Sequence, residues 1–328
     1  MSDAAPSEIR ELAHARAAAR QARDWPEADR LRGRIEAAGW KVVDRGTHFE
    51  LGPAHPADIV EGELIRYGRS AAVPSNFDVP VTAFATVILL ATDWPDDLAR
   101  TMTGLRNFAP HGTQVVVVAD APSRDQEAAL RDPEGPATAS IAGIAPDVVW
   151  TSERLGHAAA TNAGLRRALA PVTILLDTSL EPIGDVVTPL VGALDDPTVA
   201  VTGGWGIVSS DLRRFEDAQA GDVDAIESYC QAFRTADGAA RGPLDERFRF
   251  YRNLDIWWSL VLRDEGQVNI PRRAVCLADL PFARHEHRGY AGVPPSERDR
   301  LTRRNFYRVL DRFGSRLDLL VASRERAS

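Results

Sequence analysis

The sequence predicts an α/β domain on a mostly parallel, Rossmann-like sheet flanked by helices, preceded by a small helical hairpin plus β-ribbon. Three observations carry that expectation. From Phe84 onward, short apolar runs alternate with helical stretches, the pattern of strands joined by crossover helices. Residues 7–38 place Ile9, Leu12, Leu31 and Ile35 at helical spacing among Ala, Arg and Glu, with Trp25-Pro26 punctuating two helices. Residues 40–51 alternate around a Gly-containing turn, as a hairpin does.

Taken in order, residues 1–55 form the helical hairpin and ribbon, and Gly39 ends the second helix. Pro56, Pro74 and Pro80 interrupt residues 56–82, which read as a linker. The main domain then occupies 83–293, with strands expected at 85–91, 114–119, 147–150, 173–176 and 199–202. Helices are expected at 96–107, 124–131, 156–169 and 185–195, and another from about 253 to 265. Residues 294–328 are an arginine-rich helical extension expected to pack Phe306, Tyr307, Leu310 and Phe313 onto the domain. Ligands of open α/β sheets bind beyond the carboxyl ends of the strands. Here those ends carry Thr92-Asp93, Asp120, the segment from Thr151 to Gly156, and Asp177-Thr178-Ser179.

Composition narrows the chemistry. A length of 328 residues suits about two domains, and 44% hydrophobic content suffices for a sizeable core. The charges sum to 39 − 47 = −8, against global wrapping of nucleic acid or an anionic membrane. Lys41 is the single lysine, so any phosphate-gripping or Schiff-base lysine would have to be that residue. Cys230 and Cys276 are too few for a disulfide framework or a four-cysteine zinc site, and they point to a reducing cytoplasm. Apolar runs are strand-sized, and the N-terminus lacks a basic end followed by a greasy stretch, so neither a membrane span nor a secretion signal is expected. Peripheral membrane association stays open. Residues 1–53 hold nine basic and nine acidic groups, 9 − 9 = 0, so Arg16, Arg20, Arg23, Arg30 and Arg34 make no net footprint for RNA.

Four segments, in order, carry a resemblance. They are Ala91-Thr92-Asp93; the run Val115 to Ala119 ending in Asp120; the Gly156-His157-Ala158-Ala159-Ala160-Thr161-Asn162 helix opening; and Asp177-Thr178-Ser179 after Ile174-Leu175-Leu176. Over roughly residues 82–290 the chain resembles a family-2 glycosyltransferase of the GT-A fold. That resemblance implies a nucleotide-diphosphate-sugar donor, an unknown hydroxyl acceptor and inverting transfer. It also implies donor contacts at Thr92, Asp93, Asp120, Gly156, Asn162 and Asp177. Asp177-Thr178-Ser179 falls where the family carries Asp-any-Asp, so a serine replaces the second acid. The segment Leu244 to Ile256 is similar to the acceptor-side block, but Arg252-Asn253 stands in place of Glu-Asp, whose second acid is the base in the family. Residues 1–55 separately resemble the C-terminal tail of cysteinyl-tRNA synthetases, through Ala22 to Arg32 and the following Ala-Gly-Trp-Lys-Val-Val-Asp.

The implied chemistry sets the candidate residues. Transfer needs the leaving diphosphate's charge neutralised and a carboxylate to take the proton from the attacking hydroxyl. Mn2+ or Mg2+ answers the first need with hard oxygen ligands and substrate phosphates. Asp177 is the leading metal ligand, Ser179 a neutral second, Glu181 a compensating acid, and His285 or His287 a late-sequence addition. Asp255 or Glu246 is the candidate base. Two rival readings are a non-catalytic nucleotide-sugar or carbohydrate-binding protein, favoured by Asn253 and Ser179, and a tRNA-associated factor acting through residues 1–55.

Overall fold

A computed structural model of the chain describes residues 5–46, 48–218 and 220–325. Thr47, in the expected ribbon turn, and Arg326, at the expected end of the last helix, lie outside them. The chain divides into two compact units between Arg69 and Ser70.

In the first unit, α1 (Ser7–Gln21) and α2 (Trp25–Ala37) form the helical hairpin. Asp24 caps α2 by accepting from Glu27 N at 3.1 Å, and Pro26 fills a first-turn position where no N–H is needed. β1 (Trp40–Arg45) and β2 (His48–Pro53) pair antiparallel. Ile9, Ala13 and Ile35 make the small core, with Leu12, Trp40, Phe49 and Leu51 packed on it. Arg16 is buried and donates to Asp44 at 2.9 and 3.0 Å, which fastens the ribbon to α1. The segment expected as linker also holds a hairpin, β3 (Ile59–Glu61) and β4 (Leu64–Tyr67). Ile59-Val60 and Leu64-Ile65 flank a two-residue Gly62-Glu63 turn, with Gly62 at φ +67°. The surrounding prolines concealed this signal.

The second unit begins with β5 (Ala85–Ala91), α3 (Pro95–Phe108), β6 (Thr113–Ala119), α4 (Arg124–Arg131) and β7 (Asp147–Thr151). It continues with α5 (His157–Leu165), β8 (Val172–Leu176), β9 (Leu180–Pro182), α6 (Val187–Ala193) and β10 (Val199–Gly203). Then come the short strands β11 (Gly206–Val208), β12 (Glu216–Ala218), β13 (Gly221–Val223) and β14 (Ala225–Ile226), followed by β15 (Cys230–Arg234) and α7 (Thr235–Arg241). The remainder is α8 (Leu254–Arg263), β16 (Arg273–Cys276), β17 (Phe282–Arg284), α9 (Arg288–Ala291), α10 (Pro295–Phe313) and α11 (Val321–Glu325).

Within this unit the main sheet runs β13-β16-β10-β15-β8-β5-β6-β7. β8, β5, β6 and β7 are mutually parallel, as expected of strands that are apolar on both faces. β15, invisible in the sequence pattern, enters antiparallel between β8 and β10, and β16 resumes parallel pairing with β10. The small-residue face of α5 lets that helix press on the sheet. A Cβ on Gly164 would lie 2.6 Å from Ile88 Cγ2 and 3.0 Å from Val118 Cγ2.

Several helices end earlier than their apolar pattern suggested. α5 stops at Leu165 because Arg167 and Ala168 turn tightly onto Gly164 and Leu165, after which Leu169 N donates to Gln114 Oε1 at 3.0 Å. α6 begins at Val187 because the Asp185 carboxylate accepts from Val187 N and Thr188 N outside the helix. On α10 the buried face is Asn305, Val309 and Phe313, whereas Tyr307 is 58% exposed. The helical period selects residues four apart, and Tyr307 falls off that line.

Candidate active site

Three strand ends supply the acids of one cleft. Thr92 and Asp93 follow β5, Asp120 follows β6 and Asp177 follows β8. All line a cavity of about 420 Å3 together with Trp94, Asp97, Arg154, Gly156, Tyr251 and His287. Asp93 meets Arg154 across the mouth at 3.0 and 3.1 Å. Asp120 is buried, and its carboxylate accepts from Leu155 N at 2.7 Å, Gly156 N at 3.2 Å and Thr151 Oγ1 at 3.2 Å. Burial raises its pKa despite those donors. Gly156 sits at φ +95°, where a side chain is strained, and a Cβ there would be 3.0 Å from Arg249 Cα. The first N–H groups of α5 are already taken, since His157 N and Ala158 N donate to the Arg249 and Phe248 carbonyls.

Asp177 is tied to both neighbouring segments. Its Oδ1 accepts from Ser179 N at 2.8 Å and from the Ser179 hydroxyl, and its Oδ2 lies 3.3 Å from His287 Nε2. Burial pushes this carboxyl up, but the His287 and Ser179 partners together hold it below the ordinary carboxylate range. His287 arrives from 110 residues downstream because β17 pairs with β9, aligning Arg284 with Leu180, and His285 N donates to the Ser179 carbonyl at 2.8 Å. Tyr251 stacks on the His287 ring with centroids 4.7 Å apart. Tyr290 N donates to its Nδ1 at 3.0 Å, which leaves the proton of a neutral ring on Nε2, facing Asp177.

The remaining candidates fall elsewhere. His285 Nε2 pairs with Glu181 Oε2 at 2.8 Å, and neither lines the cleft, so these two are not brought to Asp177. Asn162 is buried away from the cleft. Its Nδ2 donates to the Leu244 carbonyl at 2.9 Å and to Glu246 Oε1 at 3.1 Å, and its Oδ1 accepts from Leu244 N at 2.9 Å. Glu246 also accepts from Ser70 Oγ, and it lines none of the clefts described here. Asn253 starts α8 in the left-handed region at φ +67°, a conformation asparagine tolerates, and donates to the Thr302 carbonyl of α10 at 3.0 Å. A carboxylate at that position has no proton for the carbonyl.

Asp255 lies at a junction. With Asp177, His157 and Ser228 it lines a small cavity of about 50 Å3, and it also lines a second cleft of about 460 Å3 with Glu227, Arg252 and Asn253. Ser228 N and Ile256 N donate to its carboxylate at 3.0 and 2.9 Å, while burial raises its pKa against them. Among the described residues, no group of three His, Cys, Asp or Glu converges as a metal cage. Asp177 and His287 do converge, and two protein donors suit a divalent ion whose other ligands are phosphate oxygens and water. Ligation through His287 Nε2 asks that the proton it carries shift or leave.

Residues 86–238 match the family model described as glycosyl transferase family 2. In fold the chain is similar to GalNAc-T7, solved with UDP, GalNAc and Mn2+, at 15% identity over 70% of this chain and 48% of that one, TM-score 0.52. It is also similar to the mannosyltransferase PcManGT of Pyrobaculum calidifontis, solved with GDP-Man and Mn2+, at 20% identity over 67% of this chain and 61% of that one, TM-score 0.47. The chain thus spans 48% and 61% of those two proteins' lengths. A stretch of 49 residues, 15% of this chain and 11% of that one, is 49% identical to the cysteine–tRNA ligase of Opitutus terrae. In the N-terminal unit the arginines considered for RNA are partly committed: Arg16 and Arg20 to Asp44, and Arg30 to Glu27.

The second unit also holds cleft residues that the sequence did not announce. Glu227 falls between two short strands with no motif around it. Burial first, then Asp255 and Asp217, push its carboxyl up to about 7 against Arg252 and Arg284. Tyr251 was visible only as a member of an aromatic stretch, and Arg154 only as part of the strand-end segment from Thr151 to Gly156. The pairing of β9 with β17, and the bonds from Arg154 to Asp93, give them their places.

Proposed function

We propose that the chain transfers a sugar from a nucleotide-diphosphate sugar, held in the cleft of Asp93, Asp120 and Asp177, to a hydroxyl presented from the second cleft. The observation that carries this reading is the gathering of acids from three separate strand ends into one cavity, which a small chamber connects to Asp255. Asp177 and His287, with the Ser179 hydroxyl beside them, would hold Mn2+ or Mg2+, whose chemistry is to neutralise charge on the leaving diphosphate. Arg154 and Arg249 line the same cleft and suit the remaining phosphate charge. Asp255 faces the acceptor side and takes the proton of the attacking hydroxyl, an arrangement that suits inversion. Glu246, bound to Asn162 and Ser70, is set aside as base. The acceptor is a glycan, a lipid-linked sugar or a small molecule. No helix among the described residues is long and apolar enough to cross a membrane. Buried free thiols at Cys230 and Cys276 suit a reducing cytoplasm.

Calorimetric titration of the full chain with UDP, GDP and dTDP, with and without Mn2+, tests the reading. Metal-dependent binding of one of them is expected, and binding of none overturns it. A second reading, a nucleotide-sugar-binding protein without turnover, is favoured by one observation, the commitment of Asn253 to Thr302 where the family places its base. Nucleotide release by wild type and Asp177→Ala separates the two: binding with the same near-zero release from both proteins supports the binder.

A further inference from the structure

The three-residue loop Glu227-Ser228-Tyr229 joins β14 to β15 at the boundary of the two clefts. Its Tyr229 carbonyl accepts from Asp177 N at 2.9 Å, its Ser228 N donates to Asp255 Oδ2 at 3.0 Å, and Glu227 N donates to the Trp205 carbonyl at 2.9 Å. The backbone under Glu227 is therefore fixed from three directions. Its side chain, half-buried, lines the second cleft with Asp255. We infer that Asp255 and Glu227 work as one proton-accepting pair, Asp255 taking the proton of the acceptor hydroxyl and Glu227 holding it. This rests on the transfer reading above.

The division of labour follows from what each carboxyl touches. Burial raises the Asp255 carboxyl, but Ser228 N and Ile256 N donate to it and favour its anion, whereas the Glu227 anion has no such donors among the described residues. Two carboxyls sharing one site do not both ionise readily, and burial adds to the effect, which places Glu227 at about 7. The opposing cations are Arg252 and Arg284, the supporting anion beyond Asp255 is Asp217, and Arg213, Asp299 and Arg303 complete the charges on the cleft. A base titrating near the working pH is the most effective one. In the step itself, the acceptor oxygen bonds to the anomeric carbon and the bond from that carbon to the diphosphate oxygen breaks. The electron pair leaves with the diphosphate, and the acceptor's proton goes to Asp255 and from it, through water in the cleft that both acids line, to Glu227.

The test uses the full chain with Mn2+ and a panel of UDP-glucose, UDP-N-acetylglucosamine and GDP-mannose, following nucleotide release to water across about pH 5 to 9. Wild-type release is expected to rise with pH to a plateau with its midpoint near 7, the value that burial and the neighbouring acids give Glu227. Glu227→Gln is expected to lose roughly 10²-fold in rate, with its midpoint moved to lower pH because Asp255 no longer shares the site with a second acid. Calorimetric nucleotide binding by the variant should match wild type. Unchanged rate and midpoint in Glu227→Gln overturn the pair while leaving the donor reading intact. Binding of no donor by wild type overturns both. Independently of turnover, carbon-13 NMR of labelled Glu side chains should show a resonance titrating near 7 that disappears in Glu227→Gln and moves down in Asp255→Asn. A Glu227 resonance titrating in the ordinary carboxylate range overturns the pair.

Discussion

The two sides of Asp177 treat their acids differently. On the proposed donor side, Asp93 is paired with Arg154, Asp97 with Arg100 and Asp120 with the Leu155 and Gly156 amides. Those carboxylates shape the cleft, and their charges are already answered. On the proposed acceptor side, Glu227 has no donor among the described residues, and Asp255 is answered by the Ser228 and Ile256 amides and by the Ser228 side chain. The contrast teaches that an acid's sequence motif and its availability for proton transfer are separate matters. The motif-bearing acids are mostly committed to architecture, and the available one, Glu227, has no motif.

The largest test of this contrast is Asp177→Ala. Loss of the group that the donor cleft shares with the small chamber is expected to lower Mn2+-dependent nucleotide release by roughly 10²–10³-fold, read by steady-state assay. An undiminished rate would remove Asp177 from the site. Next in size is Asn162→Ala, which strips partners from the Leu244 amide and carbonyl. About 2–3 kcal/mol of stability should be lost, measured by urea unfolding, and nucleotide binding per folded molecule should persist.

Restoring the family's acid sharpens the comparison further. Asn253→Asp replaces a donor to the Thr302 carbonyl with a repelled carboxylate. It is expected to cost about 1–2 kcal/mol in urea unfolding without raising turnover. A gain in turnover would return the base to that position.

Proton linkage at Glu227 supplies a test without substrate. Its folded carboxyl titrates at about 7 and its ordinary value is 4.5, so between these the folded state binds more protons than the unfolded one. Wild type should therefore lose stability relative to Glu227→Gln as pH rises through that window. Urea midpoints at several pH values check it, and parallel curves for the two proteins would contradict it. The smallest effect is expected from Asp93→Asn, since its pair with Arg154 is partly exposed: at most about 1 kcal/mol, seen as a small fall in the urea midpoint.

The parallel half of the fold was legible because its information is local. Val115 to Val118 can only be a buried strand, and Ser123 caps α4 by accepting from Gln126 N, so the helix starts where the sequence says. Asp120 and Gly156 stand beside such elements and were found with them. What was not legible depends on pairing between distant segments. β15 shows no alternation because it is buried on both faces, and His287 rather than His285 meets Asp177 only through the register of β17 on β9. Asn162 belonged to a legible motif, yet its partners, Leu244 and Glu246, lie more than eighty positions away. Tyr307 looked like a packing residue by composition, and only the rotation of α10 shows it facing out.

In the proposed reaction, the bonds from Tyr229 to Asp177 and from Ser228 to Asp255 would make one short stretch of main chain a spacer between leaving group and nucleophile. Side-chain rotamers leave that spacing untouched. An insertion of a single residue there would stretch the reach of the reaction itself, although neither cleft would lose a wall.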